Sequence, residues 1–107
     1  MPIIHIENEQ GLQSILNDNP HVVVDFFSTD CPPCEALAPL YERASDKYPE
    51  IKFVKIMRQN NRELAESFTV MSSPTVLFFR DRKMLDKRLS GRINETEINQ
   101  AIQEILE

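Results

Sequence analysis

Two residues of this chain stand out as suited to chemistry, Cys31 and Cys34, and they are its only cysteines. On a helix, residues three positions apart have Cβ atoms roughly 5–6 Å apart, whereas a disulfide needs about 3.5–4.5 Å. A first helical turn therefore needs only a small adjustment for the two sulfurs to join. Pro32 and Pro33 fit a helix start, because the first N–H groups of a helix have no partner within it. The spacing predicts a redox pair with Cys31 at the helix mouth, where the helix dipole favours a thiolate.

Two other interpretations of the cysteine pair stay open, an inert pair or half of a metal site. Inert pairs rarely come with helix-start prolines. A metal site needs about four ligands, and we expect His5 and His21 to lie within strands rather than to bind metal. Only two copies of the chain that share their cysteines could complete a zinc or iron–sulfur site. We therefore expect no metal, and no cofactor other than the cysteine pair itself.

Asp25 is the second candidate, because it interrupts the apolar run His21–Phe27. That run is apolar without alternation, which is typical of a strand covered on both faces. A buried carboxyl without a partner has a raised pKa, so Asp25 beneath the cysteines could accept the proton of Cys34, directly or through water. The alternative is a carboxylate that faces solvent at the strand end. Lys55 could lower the pKa of Asp25 by pairing with it, or could be a solvated lysine at the rim.

Charges near the cysteines indicate the direction of the redox reaction. Asp30, Glu35 and Asp25 are all negative and oppose a thiolate. The helix dipole favours the thiolate by only roughly 0.3–1 kcal/mol, and Pro32 removes an N–H that could have bonded it. A Cys31 thiolate that is stabilised only modestly favours a reductant over a strong oxidant.

The loop before the fourth predicted strand is expected to flank the sulfurs and to offer its backbone to an extended substrate strand. Its residues are Val70, Met71, Ser72, Ser73 and Pro74. Met71 would supply an apolar contact to the substrate, although a methionine at a loop tip is as often simple packing.

Apolar runs and helix caps predict the elements that hold these residues. The predicted strands are residues 2–6, His21–Phe27, residues 51–57, Thr75–Arg80 and the charged edge strand Lys83–Ser90. The predicted helices are residues 9–17 after an Asn8 cap, residues 31–48, and residues 62–68 after Asn60 or Asn61. A last helix is predicted to begin with a capping box formed by Asn94 and Glu97. Its buried residues are expected to be Ile98, Ala101, Ile102, Ile105 and Leu106. The order predicts an α/β fold, a mixed sheet with helices on both faces.

The whole chain sets limits on its partners. Its 107 residues predict a single domain, residues 1–107. A net charge of −5 disfavours nucleic acid and anionic membranes as partners. No apolar run approaches the roughly 20 residues of a membrane span, and the N-terminus lacks a leader pattern, so we expect a cytoplasmic protein.

At this point the chain resembles the thioredoxin family over nearly all of its length. The residues that carry the resemblance are Asp25-Phe26-Phe27, Cys31-Pro32-Pro33-Cys34, Ala38-Pro39, Lys55, Ser73-Pro74-Thr75 and Gly91. The resemblance implies the thioredoxin fold with strand order 1-3-2-4-5, and a cis Ser73–Pro74 bond beside Cys31. The chain departs from the usual family pattern at Asp30 (usually Trp), Phe27, Pro32 (usually Gly), Glu35 (often Lys) and Ser73 (often Ile).

The resemblance also implies a function. We expect a monomeric protein-disulfide reductase that is recharged by a thioredoxin-reductase-type flavoprotein using NADPH. One alternative is a thioredoxin-fold binding or chaperone module with little turnover, which the missing Trp favours. The other is a dimeric metal carrier.

Overall fold

A five-stranded mixed sheet forms the centre of the computed structural model, which describes residues 3–107. The strands are β1 Ile4–Ile6, β2 His21–Phe27, β3 Lys52–Met57, β4 Thr75–Arg80 and β5 Lys83–Ser90. The helices are α1 Glu9–Asp18, α2 Pro32–Lys47, α3 Arg62–Ser67 and α4 Glu95–Leu106, with a 3₁₀ turn at Arg58–Asn60 between β3 and α3.

The strand order β1-β3-β2-β4-β5 confirms the predicted topology. β2 and β1 both pair with β3 in parallel, while β4 pairs antiparallel with β2 and with β5. The parallel pairs are the ones joined through helices, and the tight Asp81–Arg82 turn, with positive φ at both residues, closes the β4–β5 hairpin.

β2 is central because its apolar run can be covered on both sides. Its five inner residues, 22–26, are all buried. Helices α2 and α4 cover one face of the sheet, and α1 and α3 cover the other. On the first face Val23 and Phe53 pack against Leu37, Tyr41, Ile98 and Ile102, and on the second Val24 and Ile56 pack against Leu12, Leu16 and Leu64.

Helix caps set the ends of α1 and α4 as predicted. The Asn8 side chain accepts from the Gly11 N–H at 2.8 Å. Asn94 and Glu97 form a reciprocal capping box, with bonds of 2.8 and 3.0 Å. The predicted burial of Leu106 is wrong, since this residue is 38% exposed while Ile102 and Ile105 turn inward.

Several predicted boundaries differ from the structure. Within the described residues β1 begins at Ile4, and Pro2 lies outside them. β3 begins at Lys52 rather than residue 51, and α3 ends at Ser67 rather than residue 68. Asn61 precedes α3, but its side chain donates to the Met57 carbonyl instead of capping the helix. The 3₁₀ turn was not predicted, because three polar residues carry no periodic signal.

Tyr41 ties α2 to the two central strands. Its hydroxyl is buried and lies 3.0 Å from the Val23 carbonyl and 2.8 Å from the Val54 carbonyl. Burial and the nearby Asp25 charge raise the Tyr41 pKa well above 10, although its backbone hydrogen bonds oppose the rise.

Tyr41→Phe is expected to lower the free energy of unfolding by about 1 kcal/mol, because it removes a buried hydrogen-bond donor. Urea denaturation measures the change. Tyr48→Phe is the matched control, since the Tyr48 hydroxyl is buried with no hydrogen-bond partner in the described part of the chain. We expect that control to be neutral or stabilising, and equal losses in the two variants would contradict the assignment.

The sheet topology brings three connecting segments to one edge. β2 and β3 end there, where Phe27 lies opposite Met57, and β4 begins there, where Thr75 lies opposite Phe26. Residues 28–31 follow β2, the 3₁₀ turn follows β3, and residues 71–74 precede β4. Among residues 3–107, no helix has both the length and the apolar character needed to cross a membrane.

Candidate active site

The cysteine pair lies at the start of α2 and is joined as a disulfide, with its Cα atoms 5.2 Å apart. α2 begins at Pro32 rather than at the predicted Cys31, which is the N-cap residue. Because Pro32 and Pro33 have no N–H, the first amide that the helix offers is that of Cys34, and it donates to Cys31 Sγ at 3.3 Å. Cys31 Sγ therefore lies at the positive end of the helix.

The two sulfurs differ in their access to solvent. Cys34 is 5% exposed, whereas Cys31 is only half-buried. Cys31 can be reached from outside at the predicted helix mouth, and Cys34 lies inside the first helical turn. A reactant that arrives from solvent would therefore meet Cys31 first.

The segment before β4 lies beside Cys31. The Ser73–Pro74 peptide is cis, as the family resemblance implies. Cys31 Sγ lies 3.7 Å from the Ser73 carbonyl oxygen, and Pro74 is buried. Met71 and Ser72 are exposed, and their carbonyls accept from Arg58 Nη2 at 2.9 Å and from Thr75 Oγ1 at 2.8 Å. The segment is thus held by the 3₁₀ turn and by the first residue of β4.

Asp25 is fully buried in the middle of the sheet, which confirms the burial predicted from the apolar run. It shares a sheet face with Val23, two residues before it, and Val23 packs under α2. Neither carboxyl oxygen has a hydrogen-bond partner among the described residues. Burial raises the pKa of Asp25 from 3.8 to about 7, against the lowering effect of Lys55.

Of the two alternatives for Lys55, the ion pair with Asp25 is not formed. The two residues are register partners on β3 and β2. The ammonium of Lys55, however, lies over the ring of Phe27, 4.8 Å from its centroid, and the His5 ring meets Phe27 edge-on at 6.4 Å. The long lysine side chain places its ammonium over Phe27, while Asp25 stays buried in the sheet. The positive charge therefore acts on Asp25 only from a distance.

Asp30 and Glu35, the predicted negative neighbours, are both exposed on either side of the cysteines. Asp30 adopts φ 53°, a left-handed conformation that Asp tolerates better than most residues. The described residues contain no cluster of three or more His, Cys, Asp or Glu side chains placed to hold a metal ion.

Three residues at this edge were missed by sequence reasoning. Ser28 Oγ lies 2.6 Å from Ser73 Oγ. Gln59 exchanges two hydrogen bonds with Thr29, and Arg58 holds the Met71 carbonyl. The bonds of Ser28 and Gln59 span 45 and 30 positions of sequence, so no local spacing could have indicated them.

Comparison with known proteins agrees with this geometry. The thioredoxin family model matches residues 3–104. A thioredoxin of Mycoplasmoides gallisepticum is 37% identical over 98 residues, covering 92% of this chain and 97% of the relative. Thioredoxin Asp f 28 of Aspergillus fumigatus is 32% identical over 103 residues, covering 96% and 94%. The X-ray structure of Fasciola hepatica thioredoxin superposes with a TM-score of 0.88 at 33% identity, covering 95% and 98%.

The matched range includes the whole sheet, the disulfide at the start of α2 and the cis-proline segment. The fold is the thioredoxin fold, and it carries a cysteine pair at disulfide distance at the start of α2. The chain belongs to the thioredoxin family and is a thiol–disulfide oxidoreductase.

Proposed function

We propose that this chain reduces disulfides of protein substrates, with Cys31 as the nucleophile and Cys34 as the resolving cysteine. The observation that carries the proposal is the unequal setting of the two sulfurs. Cys31 Sγ is the accessible one, accepts the Cys34 N–H and lies 3.7 Å from the Ser73 carbonyl. A thiolate in that position is stabilised by the helix end and faces the segment where a substrate strand would lie.

The reaction consists of two exchanges. The Cys31 thiolate attacks one sulfur of the substrate disulfide, the substrate S–S bond breaks, and the other substrate sulfur leaves as a thiolate that takes up a proton. The Cys34 thiolate then attacks Cys31 Sγ in the mixed disulfide and releases the second substrate sulfur. Two electrons pass to the substrate and the Cys31–Cys34 disulfide is formed. The two sulfurs carry both electrons, so the proposed exchange uses no other cofactor.

Asp25 is proposed as the base that accepts the proton of Cys34. Both residues are buried, and both lie under or within α2. A pKa of about 7 leaves Asp25 able to gain and lose a proton near neutral pH, which suits a general base. Lys55, across the strand pair, keeps that pKa from rising further.

The remaining site residues are assigned to docking and to tuning. Residues 71–74, namely Met71, Ser72, Ser73 and the cis Pro74, are proposed to receive an extended substrate strand. Met71, which is 70% exposed, supplies the apolar contact. Asp30 and the two prolines limit stabilisation of the Cys31 thiolate, Asp30 through its negative charge and Pro32 and Pro33 through their missing N–H groups, and so favour a reductant.

We further infer the cellular setting. Both cysteines are used by the redox pair, so no cysteine remains for a structural disulfide, which suits the reducing cytoplasm. The chain is proposed to act there as one domain and as a monomer. A thioredoxin-reductase-type flavoprotein that uses NADPH would return the disulfide to the dithiol, as family membership suggests.

A turnover assay tests the proposal. The wild-type protein is expected to catalyse reduction of insulin disulfides by dithiothreitol, and Cys31→Ser is expected to reduce the rate to the uncatalysed background. Equilibration with glutathione should give a reduction potential of about −270 mV. A correctly folded wild type without turnover would leave a binding module as the function. A reduction potential of about −120 mV would instead make the protein an oxidant.

A further inference from the structure

Hydrogen bonds made by side chains, some to other side chains and some to backbone, link the three segments at the edge of the sheet. Residues 28–30 form the loop that leads to Cys31, Arg58–Asn60 form the 3₁₀ turn, and residues 71–74 form the segment that ends in the cis-proline. Each pair of these segments is joined directly, and we refer to the three joins as the loop links.

The first loop link joins Ser28 to Ser73 through their hydroxyl oxygens, 2.6 Å apart. Both residues are half-buried, so this bond is partly protected from water. Ser73 is also the residue whose carbonyl lies 3.7 Å from Cys31 Sγ. The link therefore connects the Cys31 loop to the residue whose carbonyl oxygen lies beside the accessible sulfur.

The second loop link joins Thr29 to Gln59 by two bonds. The Thr29 N–H donates to Gln59 Oε1 and Gln59 Nε2 donates to Thr29 Oγ1, both at 2.9 Å. The third joins Arg58 to the Met71 carbonyl, also at 2.9 Å. Since Arg58 and Gln59 are neighbours in the 3₁₀ turn, the three links join the three segments in a closed ring of contacts.

The loop before Cys31 is anchored by polar contacts. Its residues are Ser28, Thr29 and Asp30, and the chain contains no tryptophan. None of these side chains can bury a large apolar surface, so the loop cannot be fixed by packing of its own side chains. Asp30 is also in a left-handed conformation that the surrounding structure must maintain.

We propose that the loop links act together as one positioning device for the reaction with protein disulfides. They hold Cys31 and the Ser73 backbone at the separation that a docked substrate strand requires. A displacement of a reacting atom by about 1 Å can cost on the order of 100-fold in rate, so small movements of the loop matter. The inference rests on the proposed function, in which Cys31 attacks a substrate held along residues 71–74.

Ser28→Ala and Gln59→Ala test the inference, because each breaks one link and neither residue is assigned to the substrate surface. Each variant, fully reduced, is mixed with insulin and, separately, with hydroxyethyl disulfide, which has no peptide backbone to dock. The rate constant with insulin is expected to fall about 5- to 20-fold, while that with hydroxyethyl disulfide stays within about twofold. The ratio of the two rates separates positioning from general damage to the thiol.

The double variant tests whether the links act as one unit. If breaking one link relaxes the whole ring, Ser28→Ala/Gln59→Ala should react with insulin within about twofold of the slower single variant. Rates that multiply would show independent contacts and would overturn the inference. Ser28→Thr, which keeps the hydroxyl, should restore most of the rate.

Asn60→Ala is the matched control, since this exposed neighbour of Gln59 makes no side-chain hydrogen bond within the described residues. It should react like the wild type, and urea midpoints should show every variant folded. Variants with an unchanged ratio of insulin to hydroxyethyl disulfide rates would overturn the inference and leave the proposed function intact. A wild type that reduces neither disulfide would overturn the proposed function, and this inference with it.

Discussion

Replacing Cys34 by serine is expected to stop the reaction after its first exchange and to leave the protein covalently attached to its substrate. Cys31 stays at the helix N-terminus and can still attack, but no second thiolate remains to release the mixed disulfide. Turnover should therefore fall to background while a stable adduct accumulates. Mass spectrometry under non-reducing conditions, after reaction of the reduced variant with insulin, measures the adduct and its attachment site.

Cys31→Ser is the matched control, because it keeps the buried Cys34 and removes the accessible sulfur. We expect no adduct from it, since Cys34 is 5% exposed and lies within the first helical turn. Adduct formation through Cys34 at a rate similar to that of Cys31 would reverse the assigned roles of the two cysteines. The pair of variants thus tests the unequal access on which the proposed mechanism depends.

Elements with a strong local signal could be predicted from the sequence. The unbroken apolar run of β2 indicated a central strand, and the structure gives its bounds as predicted, His21–Phe27. The Asn94 and Glu97 pair indicated a capping box and forms one. These features succeed because the residues that determine them are neighbours in sequence, so that spacing alone carries the information.

Features that depend on distant contacts could not be predicted in the same way. The sequence left open whether Lys55 pairs with Asp25 or is solvated at the rim, and its ammonium lies over the ring of Phe27. The position of a flexible side chain depends on partners that only the folded sheet brings near. The bond between Ser28 and Ser73 spans 45 positions and joins two loops that only the strand order brings together. The site chemistry could therefore be predicted from Cys31 and Cys34, but the hydrogen bonds between loops that support the site could not.

Asp25 lies between these cases. The apolar run predicted its burial correctly, and burial alone gives the direction of its pKa change. Whether the carboxyl finds a partner depends on β3, β4 and α2 together. The structure leaves both oxygens without one in the described residues, so burial dominates.

The oxidised wild type is expected to lose stability as the pH rises from 5 to 8, because of Asp25. Asp25→Asn is expected to remove most of that loss. The folded protein holds the Asp25 proton up to about pH 7, whereas the unfolded chain releases it near pH 3.8. Between these values the folded state binds more protons at Asp25 than the unfolded state does. The contribution of this group to stability is therefore largest at low pH and falls as the pH rises. For this group alone the loss from pH 5 to pH 8 is about 3 kcal/mol. Urea denaturation of both proteins at the two pH values measures it.

The difference between the two proteins isolates the carboxyl, because His5 and His21 are present in both and the oxidised cysteines do not titrate. At pH 8 the variant should be the more stable protein, since it no longer buries a carboxylate for which residues 3–107 offer no hydrogen-bond partner. At pH 5 the gap should shrink, because the wild-type carboxyl is then protonated and neutral. Equal pH dependence in the two proteins would mean that Asp25 ionises as easily in the fold as in the unfolded chain. Asp25 would then be too weak a base to accept the proton of Cys34 near neutral pH, and that proposed role would be wrong.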